Sequence, residues 1–238
     1  MTPDDHDTTR LTRRGSLVKL AGLAATVGGG AALAKLAEPD TSSAGPLAVR
    51  TGAVACVLTP ELTEGPYYVA GEKLRRNVTE GKKGVPLTLG ITVLNASTCK
   101  AIRNATVEIW HCDARGVYSG AVANNPGTNF LRGAQRTNAK GIATFDTIYP
   151  GWYPGRAVHI HVKVHVGGQV VHTGQLFFPA ATSLAVYKRS PYKSHGTAPD
   201  TSNAADAIYR NGGNKGMVTI APHASGYAAT VAAGVHVA

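Results

Sequence analysis

The sequence predicts an all-β domain, an antiparallel β-sandwich core with long active-site loops. Three observations point there. Gly (28) and Pro (13) are abundant among the 238 residues, so turns are frequent. Apolar residues alternate with polar ones in runs of only four to ten positions, the period of strands with one face buried. No long helix-period segment is present, which excludes doubly wound and (β/α)8 architectures. With 43% hydrophobic and 16% charged residues, the chain has enough apolar material for a core, so wholesale disorder is excluded.

Residues 1–34 form a targeting segment rather than part of the fold. Arg13-Arg14 precedes an uncharged stretch from Leu20 to Ala34, and Ala32-Leu33-Ala34 supplies a small-x-small cleavage pattern. The combination resembles a bacterial twin-arginine (Tat) signal. The uncharged stretch falls short of the ~20 residues that span a bilayer, and Gly28-Gly29-Gly30 weakens any helix there. No stable membrane span is therefore expected. Residues 35–55 read as a flexible lead-in, and the domain proper as 56–238.

Within the domain, Leu87, Leu89, Ile91 and Val93 alternate as a strand. Val107, Ile109 and His111 alternate with Glu108, Trp110 and Cys112 in a second. Asn138-Ala139-Lys140-Gly141 turns into Ile142–Phe145. Residues 157–166 (A-V-H-I-H-V-K-V-H-V) form the clearest strand, and 170–178 another. Residues 206–210 suggest a short helix, and 218–220 and 227–237 the closing strands.

The formal charge is +10. The two basic clusters, Lys73-Leu74-Arg75-Arg76 and Lys82-Lys83, carry no interleaved aromatics. They read as solvated surface, and no nucleic-acid partner is expected. The three cysteines, Cys56, Cys99 and Cys112, match no zinc spacing. An exported chain allows one disulfide and one remaining thiol.

The chemistry concentrates on the strand at 157–166. Val158, Ile160, Val162 and Val164 face one way as core; His159, His161, Lys163 and His165 face the other. Residues two apart on one face lie about 6.5–7 Å apart, so two imidazoles can converge on one metal ion through bonds near ~2.0–2.1 Å. Tyr153 sits in a Pro/Gly-flanked loop leading onto this strand. Tyr118 sits in a second Gly-flanked loop. Loops fixed by rigid strands are where sites form.

The order Tyr118, P-G-W-Y-P at 150–154, R-A-V-H-I-H at 156–161 and T-G-Q-L-F-F at 173–178 resembles the intradiol ring-cleavage dioxygenases. These are the relatives of protocatechuate 3,4-dioxygenase and catechol 1,2-dioxygenase. T-E-G-P-Y-Y at 63–68 is similar to that family's pocket segment, which implies a substrate-pocket role for Gly65, Pro66 and Tyr67. W-H-C-D-A-R-G-V-Y-S-G at 110–120 is similar to its secreted actinobacterial branch. The resemblance runs from about Cys56 to Phe178. It implies a non-heme Fe(III) centre held by Tyr118 and His159 as equatorial ligands and Tyr153 and His161 as axial ones. Arg156 and Gln175 are implied as catalytic residues behind the ligands, and Tyr153 as a displaceable ligand. Two features depart from the family pattern. Gly155 stands where protocatechuate enzymes carry a tryptophan, and the lead-in is too short for the helical N-terminal dimer domain of many catechol enzymes. Outside the iron motif, Cys56 and Cys99 are the expected disulfide, worth roughly 2–4 kcal/mol. Cys112, on a core strand, is the buried free thiol.

The ligand types support this set. Free tyrosine has a pKa near ~10, so only a strong Lewis acid makes tyrosinate at neutral pH. Ferric iron with two tyrosinates and a hydroxide is neutral. A catecholate dianion replacing the hydroxide and Tyr153 leaves it neutral, so no buried charge is stranded. His165 is read as the edge of the strand and His111 as packing nearby without binding iron. His172, His195, His223 and His236 have no matching partners.

The expected activity is an exported dioxygenase that cleaves catechols between the hydroxylated carbons with O2 to give cis,cis-muconate-type diacids. Two other classes use parts of this sequence. A secreted copper oxidase or dismutase would need further His or Cys ligands. A non-catalytic transthyretin-like sandwich binding polysaccharide or cell wall would need an exposed row of aromatics. The ring substituents of the substrate are open; the basic charge favours anionic aromatics only through long-range steering.

The twin-arginine reading has a direct test. Changing Arg13 and Arg14 together to Lys should trap the precursor in the cytoplasm, visible by fractionation and immunoblot. Undiminished export would exclude the Tat machinery as a partner.

Overall fold

A computed structural model describes residues 58–120 and 126–237. The expected signal segment, the lead-in and Cys56 lie outside the described residues. Eight strands and two short helices follow in the order β1 (Pro86–Asn95), β2 (Thr106–Trp110), β3 (Arg132–Arg136), β4 (Ile142–Ile148), β5 (His159–Val166), β6 (Gln169–Phe177), α1 (Ala180–Tyr187), α2 (Ala207–Arg210), β7 (Thr219–His223) and β8 (Gly226–Val235).

The strands form two four-stranded sheets, ordered β4-β1-β8-β7 and β3-β2-β5-β6. Their apolar faces meet in one core. Leu87, Leu89, Ile91 and Val93 of β1 face Val107 and Ile109 of β2 and Ile160, Val162 and Val164 of β5, all buried. Pairing is antiparallel with one exception: β1 and β8 run parallel from Leu87↔Tyr227 to Asn95↔Val235. A parallel pair needs a long crossover, and the whole domain between these strands supplies it.

Two elements were not legible in the pattern. β3 reads R-G-A-Q-R, with no alternation of apolar residues. It is a strand because its backbone is paired on both sides, with β2 and with the preceding chain, where Arg75 N–H donates to Ala134 O and Ala134 N–H to Lys73 O, each at 2.9 Å. α1 follows Pro179, which serves as its N-cap. The short helix expected over 206–210 is α2. Its N-cap is Asp206, whose carboxylate accepts from Ile208 N–H and Tyr209 N–H.

The outer face of the second sheet is covered by residues 59–78. Leu62 N–H donates to Thr173 O on β6, Arg75 N–H to Ala134 O on β3 and Val78 N–H to Asp146 O on β4. This strap therefore crosses the sheet from one edge strand to the other. As a result β5 is buried on both faces, and His159, His161 and Lys163 are as inaccessible as the core valines.

Two expectations are corrected. The basic clusters are not simply solvated surface. Arg75 bonds Arg132 O and Asn129 O and pairs with Glu80. Lys82 pairs with Asp113 at 2.8 Å and lies 3.6 Å over the Phe130 ring. Of the basic residues in those clusters only Lys73, Arg76 and Lys83 are exposed. Cys112 is a buried free thiol but lies just beyond β2, not on the strand. Cys99 is disulfide-bonded; its expected partner, Cys56, lies outside the described residues. Among the described residues, no helix is long and apolar enough to cross a membrane.

Candidate metal centre

Strand register assembles the site. Arg132 pairs with Trp110, Trp110 with His161, and His161 with Gln175, across β3, β2, β5 and β6. Paired residues share a face, so these four side chains form one row on the outer face beneath the strap. His159, one step along β5 on the same face, pairs with Phe177.

The two imidazoles converge. His159 Nδ1–H donates to Ala157 O at 2.6 Å, which leaves Nε2 as the lone-pair end. That Nε2 lies 3.1 Å from His161 Nε2 and 3.1 Å from the Tyr153 hydroxyl. Burial, and after it the Arg156 charge, pulls His159 down to about 3. Burial and then His159 hold His161 well below the usual histidine range. Both rings are therefore neutral, as metal ligands must be. His161 Nδ1 is buried without a protein hydrogen-bond partner, which costs on the order of 1–3 kcal/mol.

Two loops deliver the phenols. Asp113 Oδ1 accepts from Arg115 N–H and Val117 N–H and so folds the loop that presents Tyr118. Gly116 (φ +79°) packs on the carbonyl of Trp152, where a Cβ would come within 2.3 Å of the oxygen. Gly151 packs on Asp113 O in the same way, at 2.1 Å. The Tyr118 and Tyr153 loops are thus interlocked through two glycines. The two rings meet edge to face with centroids 5.7 Å apart. Burial raises Tyr118 well above 10. Burial also pushes Tyr153 up to about 12, with the Arg156 charge opposing. Without a cation neither phenol ionises at neutral pH.

This donor set fits a small, highly charged cation. Two nitrogens 3.1 Å apart, each about 2.0–2.1 Å from a shared ion, would subtend roughly 100° at it. Two phenols next to them supply hard oxygen donors that such an ion would deprotonate. Among the described residues, no group of three or more His, Cys, Asp or Glu side chains is arranged to hold a metal.

The other expected residues surround this centre. Tyr67 stacks on Tyr118, with centroids 4.2 Å apart and planes at 11°, and meets Tyr153 edge-on. Gly65, at φ +75°, lets the strap backbone close on His161, because a Cβ there would lie 3.1 Å from its Cε1. Pro66 between them is exposed. Arg156 is held by Asp206 (Nε to Oδ2, 2.9 Å) and donates to Gln175 Oε1 at 2.5 Å. Gln175 Nε2 donates to Thr63 O at 3.0 Å and so ties this network to the strap. Gly155 faces open space and its N–H meets the Asp200 carboxylate, so the wall that a tryptophan would build there is missing. His111 bonds Cys112 O and Thr147 Oγ1, each at 2.8 Å, and is not a ligand. His165 lies 3.4 Å from Glu108.

Four positions were missed from sequence. Trp110 is fully buried and stacks on His161. Its alternation with Val107 and Ile109 placed it on the site face, but only the pairing with β5 shows what it meets. Arg132 is fully buried; its guanidinium reaches Glu72, Tyr67 O and both Ser119 oxygens. Lys163 pairs with Glu64 and lies 3.4 Å over the Tyr68 ring. Asp206 lies 50 residues from Arg156 in sequence, and no local signal links them.

Residues 63–188 match the family described as Dioxygenase (Dioxygenase_C). The structure is similar to an intradiol ring-cleavage dioxygenase from Tetranychus urticae, with a TM-score of 0.72 and 34% identity over 76% of this chain and 95% of that one. It is also similar to the dioxygenase domain of a dioxygenase carbohydrate-binding protein fusion from Streptomyces sp. SirexAA-E, with a TM-score of 0.59 and 30% identity over 76% and 99%. Catechol 1,2-dioxygenase 1 of Acinetobacter lwoffii is 35% identical over 101 residues, 40% of this chain. The match spans about a third (32%) of that relative's length.

Asp206 provides a test of the network. Asp206→Ala removes the Arg156 partner, the acceptor for Ala157 N–H and the α2 cap. A lost charged hydrogen bond of about 1.5–3 kcal/mol and a cap of about 1 kcal/mol set the expected destabilisation. Asp206→Asn should recover the cap. Urea midpoints of the two variants measure both, and wild-type stability in Asp206→Ala would show that the network carries no load.

Proposed function

This chain belongs to the intradiol ring-cleavage dioxygenase family, and on that premise we propose that it is an exported Fe(III) enzyme cleaving catechols between their two hydroxylated carbons. The observation that carries the proposal is the convergence of His159 Nε2, His161 Nε2 and the Tyr153 hydroxyl within 3.1 Å contacts, with Tyr118 alongside. Tyr118, Tyr153, His159 and His161 would hold the iron. Bound there, ferric iron would supply the Lewis acidity that makes phenolates at neutral pH and renders a chelated catecholate reactive toward O2.

The remaining roles belong to the chain. Tyr153 is the less buried of the two phenols and sits in the loop flanked by Pro150, Gly151, Pro154 and Gly155. It is the oxygen suited to leave the site and accept a catechol proton at Oη. The second phenol, Tyr118, is fully buried and stacked on Tyr67 and stays. Arg156 is clamped by Asp206 and Gln175, so its cation is already in place when negative charge builds on the ring. Tyr67, Gly65 and the strap exclude water from the His161 side. The open position at Gly155 leaves room for a ring substituent on that wall.

A copper centre would require added His or Cys ligands, and none is arranged with the pair among the described residues. A carbohydrate-binding face would require exposed aromatics. Among the described residues the exposed large hydrophobics are Leu58, Leu74, Val117, Val170 and Leu184, none of them aromatic.

Purified protein incubated with catechol under 18O2 should give a cis,cis-muconate-type diacid containing both labelled atoms. A yellow semialdehyde, the product of cleavage outside the diol, would refute the assignment. Arg156→Ala should retain iron and lose about 10²–10³ in turnover, the effect of one missing electrostatic donor; His161→Ala should lose iron and activity together.

A further inference from the structure

The two histidines of the centre are held in different ways. His159 is oriented by its Nδ1–H bond to Ala157 O. Metal-binding histidines almost always have such a bond at the second nitrogen, where it fixes the ring and raises its basicity. His161 has none: its Nδ1 is buried with no protein partner. Packing takes the place of the bond. The Trp110 indole lies parallel to the imidazole, with centroids 4.9 Å apart and planes at 7°, and the Gly65 backbone closes on the Cε1 edge.

We infer that Trp110 is the positioning residue for His161, its ring face setting the direction in which Nε2 points. The inference rests on the reading of Tyr118, Tyr153, His159 and His161 as an iron centre. Trp110 is fully buried, and its own Nε1 has no protein partner, so the stack is oriented by contacts alone. Those contacts are well fixed. Tyr68 packs on Trp110 with centroids 5.0 Å apart; its hydroxyl donates to Glu108 at 3.0 Å, and its ring lies under Lys163 Nζ. Glu108 and Trp110 lie on the same strand and face, in register with Lys163 and His161. One consequence is that the two imidazoles are unequal. His161 is the less basic donor, and its hold on iron depends on an aromatic face rather than on an acceptor.

The test compares iron-loaded wild type with Trp110→Leu and Trp110→Phe. Transfer of iron to EDTA should be favoured about 10–100-fold in Trp110→Leu, the usual effect of removing a partner of a metal-bound histidine. The ferric EPR spectrum of Trp110→Leu should change, while Trp110→Phe should stay close to wild type in both readouts. A folded Trp110→Leu protein with wild-type retention and spectrum overturns the inference. A measurement on the unaltered chain guards against misfolded variants. In NMR spectra of the metal-free protein, the His161 ring protons should be shifted upfield by the indole, and unshifted signals overturn the inference as well. Wild-type protein that takes up no iron overturns the reading of the centre itself, and the inference with it; iron retained equally by wild type and Trp110→Leu overturns the inference alone.

Discussion

The constraint on which the rest of the molecule depends is the register of β3, β2, β5 and β6. It brings Arg132, Trp110, His161 and Gln175 into one line across the sheet. Each member has a different task. Gln175 connects to Arg156 and to the strap, His161 meets His159, Trp110 covers the imidazole, and Arg132 secures the strap and the Tyr118 loop. Side chains alternate faces along a strand, so a one-residue slip of β5 would send both histidines into the core and Ile160 into the site. The alternating Val and Ile residues of β5 prevent that slip, because the apolar core accepts only one register. Core packing and site assembly are thus two faces of one strand.

Burying a polar face demands that its charges be matched. Arg132 has no exposure, and four hydrogen bonds, to Glu72, Tyr67 O and both Ser119 oxygens, occupy its guanidinium. Burial raises the Glu72 carboxyl, and the Arg132 hydrogen bond and charge oppose that rise. Lys163 is similarly enclosed by Glu64 and the Tyr68 ring. Removing one partner of the fully enclosed Arg132–Glu72 pair strands the other, at about 3–5 kcal/mol. The strap is therefore not a loosely held cover. It carries the countercharges of the sheet face it lies on, and in doing so it brings Gly65 and Tyr67 to the site.

Much of this was legible in the sequence, for identifiable reasons. β5 could be read because its alternation is strict from Val158 to Val166. The two tyrosine loops could be read because Gly flanks Tyr118 on both sides and Gly and Pro flank Tyr153. The resemblance from about Cys56 to Phe178 singled out Arg156 and Gln175, which the structure joins by a hydrogen bond. What escaped was whatever depends on pairing between distant segments. β3 has no apolar period of its own and exists because β2 and Lys73–Arg75 both bond to it. Arg75 and Lys82 look like solvated charges in sequence, yet they contact Arg132 O and Asp113. Trp110 was on the correct face in the sequence pattern, but its partner is fixed only by the β2–β5 register.

The parallel pairing of β1 with β8 also governs how this domain comes into being. β8 lies between β1 and β7, so the first sheet has a gap at its centre until the last of the eight strands has been made. Contacts separated by some 140 positions, such as Leu87 with Tyr227, cannot form until β8 has been made. The second sheet contains the candidate ligands and is complete much earlier, yet its apolar face then has only the β4–β1 half of the first sheet to pack on. Ligand-bearing strands thus wait, half-exposed, for a strand that carries no ligand. In this topology the closing of the core comes late, and any loading of the centre that requires a closed core must await β8.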